Sequence, residues 1–278
     1  MADAHRGADL LETIVAAARR IVSTREAAVP LRELERRCAD RSRTTLSLRR
    51  ALTSGTAPRI IAECKRRSPS RGVLRREYDP AAIAATYERA GAAAISVLTE
   101  PTFFDGSVEH LAAVRKAVTL PVLRKDFIVT EYQILEAAAA GADAVLLIVG
   151  ALAQDDLVRL VAAARASGLD PLVEVHDETE LGRAMSAGAD LIGVNSRNLR
   201  TLEVTLDVTH RLAAKIPRGI VRVAESGLRT REDIAALMAD GYEAFLVGER
   251  LMTAPDPGAA LSAFVAPIEN NAGVEEQR

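Results

Sequence analysis

The chain has 278 residues, a net charge near −2, 49% hydrophobic and 27% charged residues. That is enough apolar material for two domains or one α/β barrel, and the charge balance gives nucleic acid nothing global to bind. No apolar run nears the roughly 18 residues of a membrane helix, the opening MADAHRGADLL lacks a signal-peptide pattern, and aromatics are only 3% with no tryptophan, which argues against stacking platforms for bases or sugars. Cys38, Cys64 and four scattered histidines show no metal or redox spacing, so the expectation is a reduced, cytoplasmic protein with no metal site.

Residues 1–57 read as a helical extension. LLETIVAAARRIVSTREA is amphipathic, and LRELERRCADRSRTTLSLRRALTSG is basic and mostly helical. From residue 58 the pattern changes. Eight nearly continuous apolar runs follow: RIIAEC (59–64), AAISVLT (93–99), LPVLRKDF (120–127), AVLLIV (144–149), PLVEV (171–175), LIGVN (191–195), IVRVAES (220–226) and AFLVG (244–248). Such runs suit parallel strands covered on both faces, and their spacing leaves room for a helix between each pair. The intervening segments carry helix punctuation. Asp79 and Pro80 form an N-cap followed by proline at the first helical position, Thr130 to Gln133 fits a capping box, and Asp177 to Glu180 fits a looser one.

AGAAAISV, AGADAVLLI, AGADLIGV and DGYEAFLV each end a helix at a glycine (Gly91, Gly141, Gly188, Gly241) and open a strand. The repeat recurs about every 50 residues, two strand–helix units at a time, which again makes eight. Eight strands with no β segment left over point to a closed (β/α)8 barrel over 58–266, with 267–278 as a polar tail. An open doubly wound sheet is the alternative, weakened by the missing G-x-G-x-x-G after the first strand.

Charges sit where apolar residues belong. The first strand ends in Glu63 and Lys65, the third in Lys125 and Asp126, the fifth carries Glu174, the sixth ends in Asn195 and Arg197, and the seventh in Glu225 and Ser226. Side chains alternate along a strand, so Glu63 and Lys65 share a face, as do Asn195 and Arg197. In a barrel, those strand ends form the reactive mouth. Structural ion pairs plugging the barrel are the competing explanation. Two lysines and three glutamates in one small mouth count against it, because each buried ion costs several kcal/mol of desolvation.

Backbone donors for a phosphate are available in the Ser68-Pro69-Ser70 turn, from its serines, with Gly72 after strand one, in Ser226 and Gly227 after strand seven, and in Gly248 and Glu249 after strand eight. His176 falls at a helix cap and reads first as structural, though it could share the face of Glu174. Cys64 should point outward as core, Asp126 should lie on the face opposite Lys125, and Phe103 with Phe104 suits loop packing or the wall of an aromatic ligand site.

The stretches IIAECKRRSPSRG, ISVLTEPTFFDGS, PVLRKDFIV, GADAVLLIV, LVEVHDETEL, IGVNSRNL, VAESGL and FLVGERLM, in that order, resemble the indole-3-glycerol phosphate synthases of tryptophan biosynthesis over roughly residues 10–265. The resemblance implies a (β/α)8 barrel with an N-terminal helical segment. It implies conversion of 1-(2-carboxyphenylamino)-1-deoxyribulose 5-phosphate to indole-3-glycerol phosphate, carbon dioxide and water, with no cofactor. By the same resemblance Lys125 is the general acid on the ketone oxygen, and Lys65 pairs with the anthranilate carboxylate and is a rival or partner as proton donor. Glu174 is the acid or base of dehydration, and Glu63, Asn195 and Glu225 orient lysines and hydroxyls. Arg197, Ser226, Gly227 and Gly248, with the Ser68–Ser70 turn, hold the phosphate end, Phe104 and Phe127 border the ring, and Leu246 and Glu249 are further substrate-binding positions.

For a lysine to act as the acid, neighbouring cations and burial should bring its pKa down toward working pH. Ser196 and Ala224 depart from residues common in the family, but alternation points both outward. The implied ligand is a phosphorylated anionic anthranilate derivative, with no nucleic acid or membrane partner, on a monomer or weak homo-oligomer. A non-catalytic barrel binding a phosphorylated ligand is the alternative. A phosphoribosylanthranilate isomerase-like barrel is disfavoured, because strands one and five offer no Cys/Asp pair.

Overall fold

Eight strands form from the apolar runs: β1 (Arg59–Cys64), β2 (Ala94–Leu98), β3 (Val122–Lys125), β4 (Ala144–Ile148), β5 (Asp170–Val175), β6 (Leu191–Asn195), β7 (Val221–Glu225) and β8 (Ala244–Val247). In this computed structural model, which describes residues 9–39, 46–55 and 58–266, they close into a parallel barrel in the order β1-β8-β7-β6-β5-β4-β3-β2. Closure leaves no unpaired edge in the barrel. The tail at 267–278 lies outside the described residues, as do 1–8, 40–45 and 56–57.

Three helices precede the barrel: α1 (Leu10–Ala28), α2 (Leu31–Ala39) and α3 (Leu48–Thr53). Those that follow are α4 (Pro80–Arg89), α5 (Pro101–Phe104), α6 (Val108–Ala117), α7 (Glu131–Ala140), α8 (Gln154–Ala166), α9 (Glu178–Ser186), α10 (Asp207–Ala213), α11 (Arg231–Ala239), α12 (Glu249–Met252) and α13 (Pro257–Val265). The punctuation read from the sequence is in place. Asp79 accepts from the N–H groups of Ala81 and Ala82, each at 3.0 Å, with Pro80 starting α4. Gln133 of α7 reaches back to the N–H groups of Val129 and Thr130. All four glycines of the repeat have positive φ, the left-handed geometry that ends a helix without a Cβ penalty.

The loop after β1 differs from the expectation of no further β structure. Arg67–Ser68 pairs antiparallel with Gly72–Val73, forming a two-residue-a-side hairpin around the Pro69–Arg71 turn. The signal was too short to read, because two residues show no alternation.

The extension grips the barrel at two places. Leu11, Ile14, Ala18 and Val22 recur at helical spacing and bury one face of α1, and α1 and α2 both pack on α7. Leu34 of α2 meets Val22 and Tyr132 in a small satellite core. At the opposite, N-terminal face, α3 acts as a plug. Leu48 and Leu52 are fully buried there, each contributing about 1.5–3 kcal/mol from burial. Asp170, the first residue of β5, accepts from the Ser47 hydroxyl and the Arg49 N–H, each at 2.9 Å. Asp143, just before β4, accepts from the Leu46 N–H and from Arg115.

Candidate active site

Register carries the charged residues to one end of the barrel. Glu174 lies beside Gly193 across β5 and β6, Asn195 beside Glu225 across β6 and β7, and Glu225 beside Leu246 across β7 and β8. Strand alternation turns Glu63, Lys125, Glu174 and Glu225 inward, all from odd-numbered strands. In a barrel, alternate strands fill one interior layer. Here that layer is ionic where the layers below are apolar. The cavity above it has a volume of about 410 Å³, within the range of small-molecule sites. Glu63, Lys65, Lys125, Glu174, Asn195 and Glu225 all line it, as do Arg197, Ser226, Gly227, Leu246, Gly248 and Glu249.

Lys125 Nζ stands 3.2 Å from Glu174 Oε2 and 3.8 Å from Glu225 Oε2. Lys65 Nζ is 2.5 Å from Glu63 Oε1. Asn195 Oδ1 accepts from the Arg197 N–H at 2.9 Å, which orders the turn out of β6. These pairs overturn the expectation that neighbouring cations lower the Lys125 pKa. Its neighbours are carboxylates. Burial alone would lower it, but Glu174, Glu225 and Glu63 outweigh burial and raise it above the usual lysine range. The surroundings of Lys125 therefore favour its ammonium form.

The two glutamates facing it split apart. Burial would raise Glu174, but the Lys125 charge, His176 and the Asn195 amide hold its carboxyl well below the usual range. Glu225 is pushed the other way, to about 8, by burial and by the Glu174 charge, with Lys125 only partly offsetting them. The two carboxyls beside the ammonium are thus driven in opposite directions, the splitting that marks acid–base sites.

Two glycines make room for this layer. A Cβ on Gly193 would fall 2.1 Å from Glu225 Oε1, and one on Gly248 would fall 2.1 Å from Glu63 Oε1. Sequence reasoning missed Gly193, although a glycine inside a branched apolar strand is a sign of close approach. At the far end of the cavity Ser226 and Gly227 both have positive φ, 65° and 78°. A left-handed serine is strained backbone held in place for a purpose, and it sits in the loop after β7 where such barrels grip phosphate.

Arg71 and Arg229, not picked out from sequence, also line the cavity. Arg71 pairs with Glu249 at 3.0 Å, and Arg197 approaches the same carboxylate at 3.6 Å. Glu249 thus holds the two guanidinium groups that an incoming anion would use.

Ser68 and Ser70 lie in a smaller adjoining cavity with Leu10 and Ile14 of α1, Phe104 and Phe127. The two phenylalanine rings stand 6.3 Å apart, centroid to centroid, and form an aromatic wall. Lys65, Arg197 and Glu249 line the same smaller cavity, so the serines sit between the aromatic wall and the charged rim, and Arg71 of the same loop pairs with Glu249. Asp9, the N-cap of α1, forms an ion pair with Arg200 from the loop after β6, tying the extension to the mouth.

Cys64, Asp126, Ser196 and Ala224 turn their side chains outward. Cys64 Sγ points at Pro80 O of α4, and Asp126 joins a buried network with Arg124. Ser196 bonds Thr209 of α10, and Ala224 is buried on the same outer side of the wall. His176 closes the α9 cap through its backbone, but its ring lies 3.3 Å from Glu174 Oε1. Among the described residues no group of three or more His, Cys, Asp or Glu side chains is arranged to hold a metal.

A family model described as indole-3-glycerol phosphate synthase matches residues 11–264. The chain belongs to the indole-3-glycerol phosphate synthase family. It is 51% identical over 263 residues to indole-3-glycerol phosphate synthase 1 of Streptomyces coelicolor, spanning 95% of this chain and 97% of the relative. It is 47% identical to the indole-3-glycerol phosphate synthase of Carboxydothermus hydrogenoformans, spanning 92% and 99%. Among solved structures, a thiamine phosphate pyrophosphorylase from Pyrococcus furiosus superposes with a TM-score of 0.59 at 19% identity over 78% of this chain and 96% of that one, a likeness of fold alone. Membership makes the chain an enzyme of tryptophan biosynthesis.

Proposed function

We propose that the mouth converts 1-(2-carboxyphenylamino)-1-deoxyribulose 5-phosphate to indole-3-glycerol phosphate as a carbon–carbon carboxy-lyase. The observation that carries this reading is Lys125 set between Glu174 and Glu225, two carboxyls whose pKa values are driven in opposite directions, in a cavity with an aromatic wall at one side and a glycine-rich, arginine-flanked loop pair at the other. The phosphate sits on the N–H groups around Ser226, Gly227 and Gly248, and draws Arg71 and Arg197 away from Glu249. The anthranilate ring packs against Phe104 and Phe127, with its carboxylate toward Lys65.

The ring carbon bearing the carboxylate attacks the ketone carbon. The carbonyl electron pair moves to oxygen, which takes a proton from Lys125 Nζ. Carbon dioxide then leaves, and the electrons of its carbon–carbon bond return to the ring system. In the last step the hydroxyl departs as water on a proton from Glu225, while Glu174 takes the proton released as the indole double bond forms. Glu174 becomes a competent base at the right moment. Once Lys125 has given up its proton, the main charge holding Glu174 low is gone. Each proton-transfer group of this kind typically contributes about 10²–10⁴-fold.

The test is fluorescence. The chain contains no tryptophan, so an indole product stands clear of the protein signal. Mixing purified protein with the carboxyphenylamino-deoxyribulose phosphate should give a catalytic rise. Tight binding with no rise would leave a phosphate-ligand binder and end the reading.

A further inference from the structure

His176 is more closely built into the mouth than a helix cap requires. The cap of α9 is complete without its ring: Asp177 accepts from the Glu180 N–H at 2.8 Å, and Glu180 Oε2 accepts from the His176 backbone N–H at 2.8 Å. Yet the imidazole is held on both sides. Nδ1 lies 3.0 Å from Glu180 Oε2, and Nε2 lies 3.3 Å from Glu174 Oε1. Among the described residues, Glu174 Oε1 and His176 Nε2 are both buried atoms without an aligned hydrogen bond, and they face each other. In the absence of substrate such contacts are often long and tighten only when the site is filled. Space for the anchor is also provided. Glu180 Oε1 lies against Gly150, where a Cβ would stand 2.7 Å away.

We propose that His176, anchored by Glu180, is a positioning residue that holds Glu174 by Oε1 and leaves Oε2 to work against Lys125. A ring with a carboxylate at each nitrogen satisfies both only as the doubly protonated imidazolium. Burial would lower its pKa, but Glu174 and Glu180 outweigh burial and raise it to about 10. Glu174 from its own strand and Glu180 from α9 are the charged groups acting on the ring, and Lys125 lies beyond Glu174. Glu174 is thus flanked by two cations. When Lys125 passes its proton to the substrate, the His176 charge remains and keeps the carboxylate oriented for its own proton. This inference rests on the ring-closing reading of the mouth.

The test uses H176L, H176Q and E180Q in the full chain, with kcat, KM and their pH profiles measured beside melting temperature. H176L should lower kcat about 10–100-fold with KM nearly unchanged, and should move the acidic limb of kcat to higher pH, since Glu174 loses a neighbouring charge. H176Q, keeping an N–H donor without the charge, should regain part of the rate while the limb stays shifted. E180Q preserves an acceptor for the α9 cap, and its loss should grow as pH rises from 6 to 9 because the ring then deprotonates earlier. NMR gives a readout independent of turnover. The His176 ring should be doubly protonated at pH 8, and the Glu174 carboxyl should titrate at higher pH in H176L. Wild-type kcat and limb in H176L, equal losses in H176L and H176Q that follow melting temperature alone, or a neutral ring at pH 8 would overturn the proposal. If the wild type forms no indole product, the reading of the site fails, and the NMR titrations still decide whether His176 holds Glu174.

Discussion

Arg124 and Lys125 are neighbours on β3 that point to opposite sides of the barrel wall. On the helix side, Arg124 is fully buried and fully answered: its guanidinium reaches Asp126 at 2.9 Å, Glu136 at 2.7 Å, the Gln133 carbonyl at 2.9 Å and the Thr99 hydroxyl at 3.1 Å. Asp126 in turn accepts from Thr99 and from the Phe127 N–H. On the mouth side, Lys125 has two carboxylates, one at 3.2 Å and one at 3.8 Å, and an oxygen of each glutamate lacks an aligned partner. The first network spends no polar group without a partner, as stability demands. The second crowds carboxyl groups around one ammonium and leaves donors short, an arrangement that costs stability and splits pKa values. The contrast separates structure from function without reference to any relative.

The sharpest way to break the comparison from the structural side is Arg124→Met. It leaves Asp126 buried without a counter-charge and Glu136 with Arg25 as its remaining ion-pair partner, and should cost about 3–5 kcal/mol, read by chemical denaturation, while molecules that remain folded keep their turnover. Glu225→Gln acts on the other network and should lower kcat about 10²-fold with little change in phosphate-end affinity. Its pH signature follows from the raised pKa. The folded state keeps this proton between about pH 4.5 and 8, where the unfolded chain has lost it, so stability drains as pH rises through that window. The glutamine variant should therefore gain melting temperature relative to wild type as pH climbs toward 8 and beyond, and parallel curves would refute the protonated Glu225. Gly193→Ala sharpens the comparison further. Its Cβ must displace Glu225, so kcat should fall roughly tenfold or more with a modest stability change. Smallest is Asp9→Ala, which removes the α1 cap and the tie to Arg200. About 1 kcal/mol of stability and a few-fold rise in KM are expected, checked by melting and steady-state kinetics.

The barrel was legible because its signals are local. Apolar runs, the glycines after helices and the caps at Asp79, Thr130 and Asp177 each act within a few residues. Strand alternation also separated Glu63 from Cys64 and Lys125 from Asp126 correctly. What alternation does not carry is who stands across the mouth. Lys125 and Glu174 are 49 positions apart, and only barrel closure reveals that the lysine faces carboxylates rather than cations, which reversed the direction expected for its pKa. Gly193 signalled a close approach but not its occupant, and Gly150 gave no signal, since the side chains they admit come from other elements. His176 was divided between a cap, which its backbone joins, and the face of Glu174, beside which its ring lies.

The measurement that tests the central claim most directly is Lys125→Met, with turnover and thermal melting measured on the same preparation. If the mouth is built for chemistry at the expense of stability, turnover falls by about 10²–10⁴-fold or more, while the melting temperature drops far less than in Arg124→Met. A variant that keeps near-normal turnover, or one that melts as early as Arg124→Met, would contradict it.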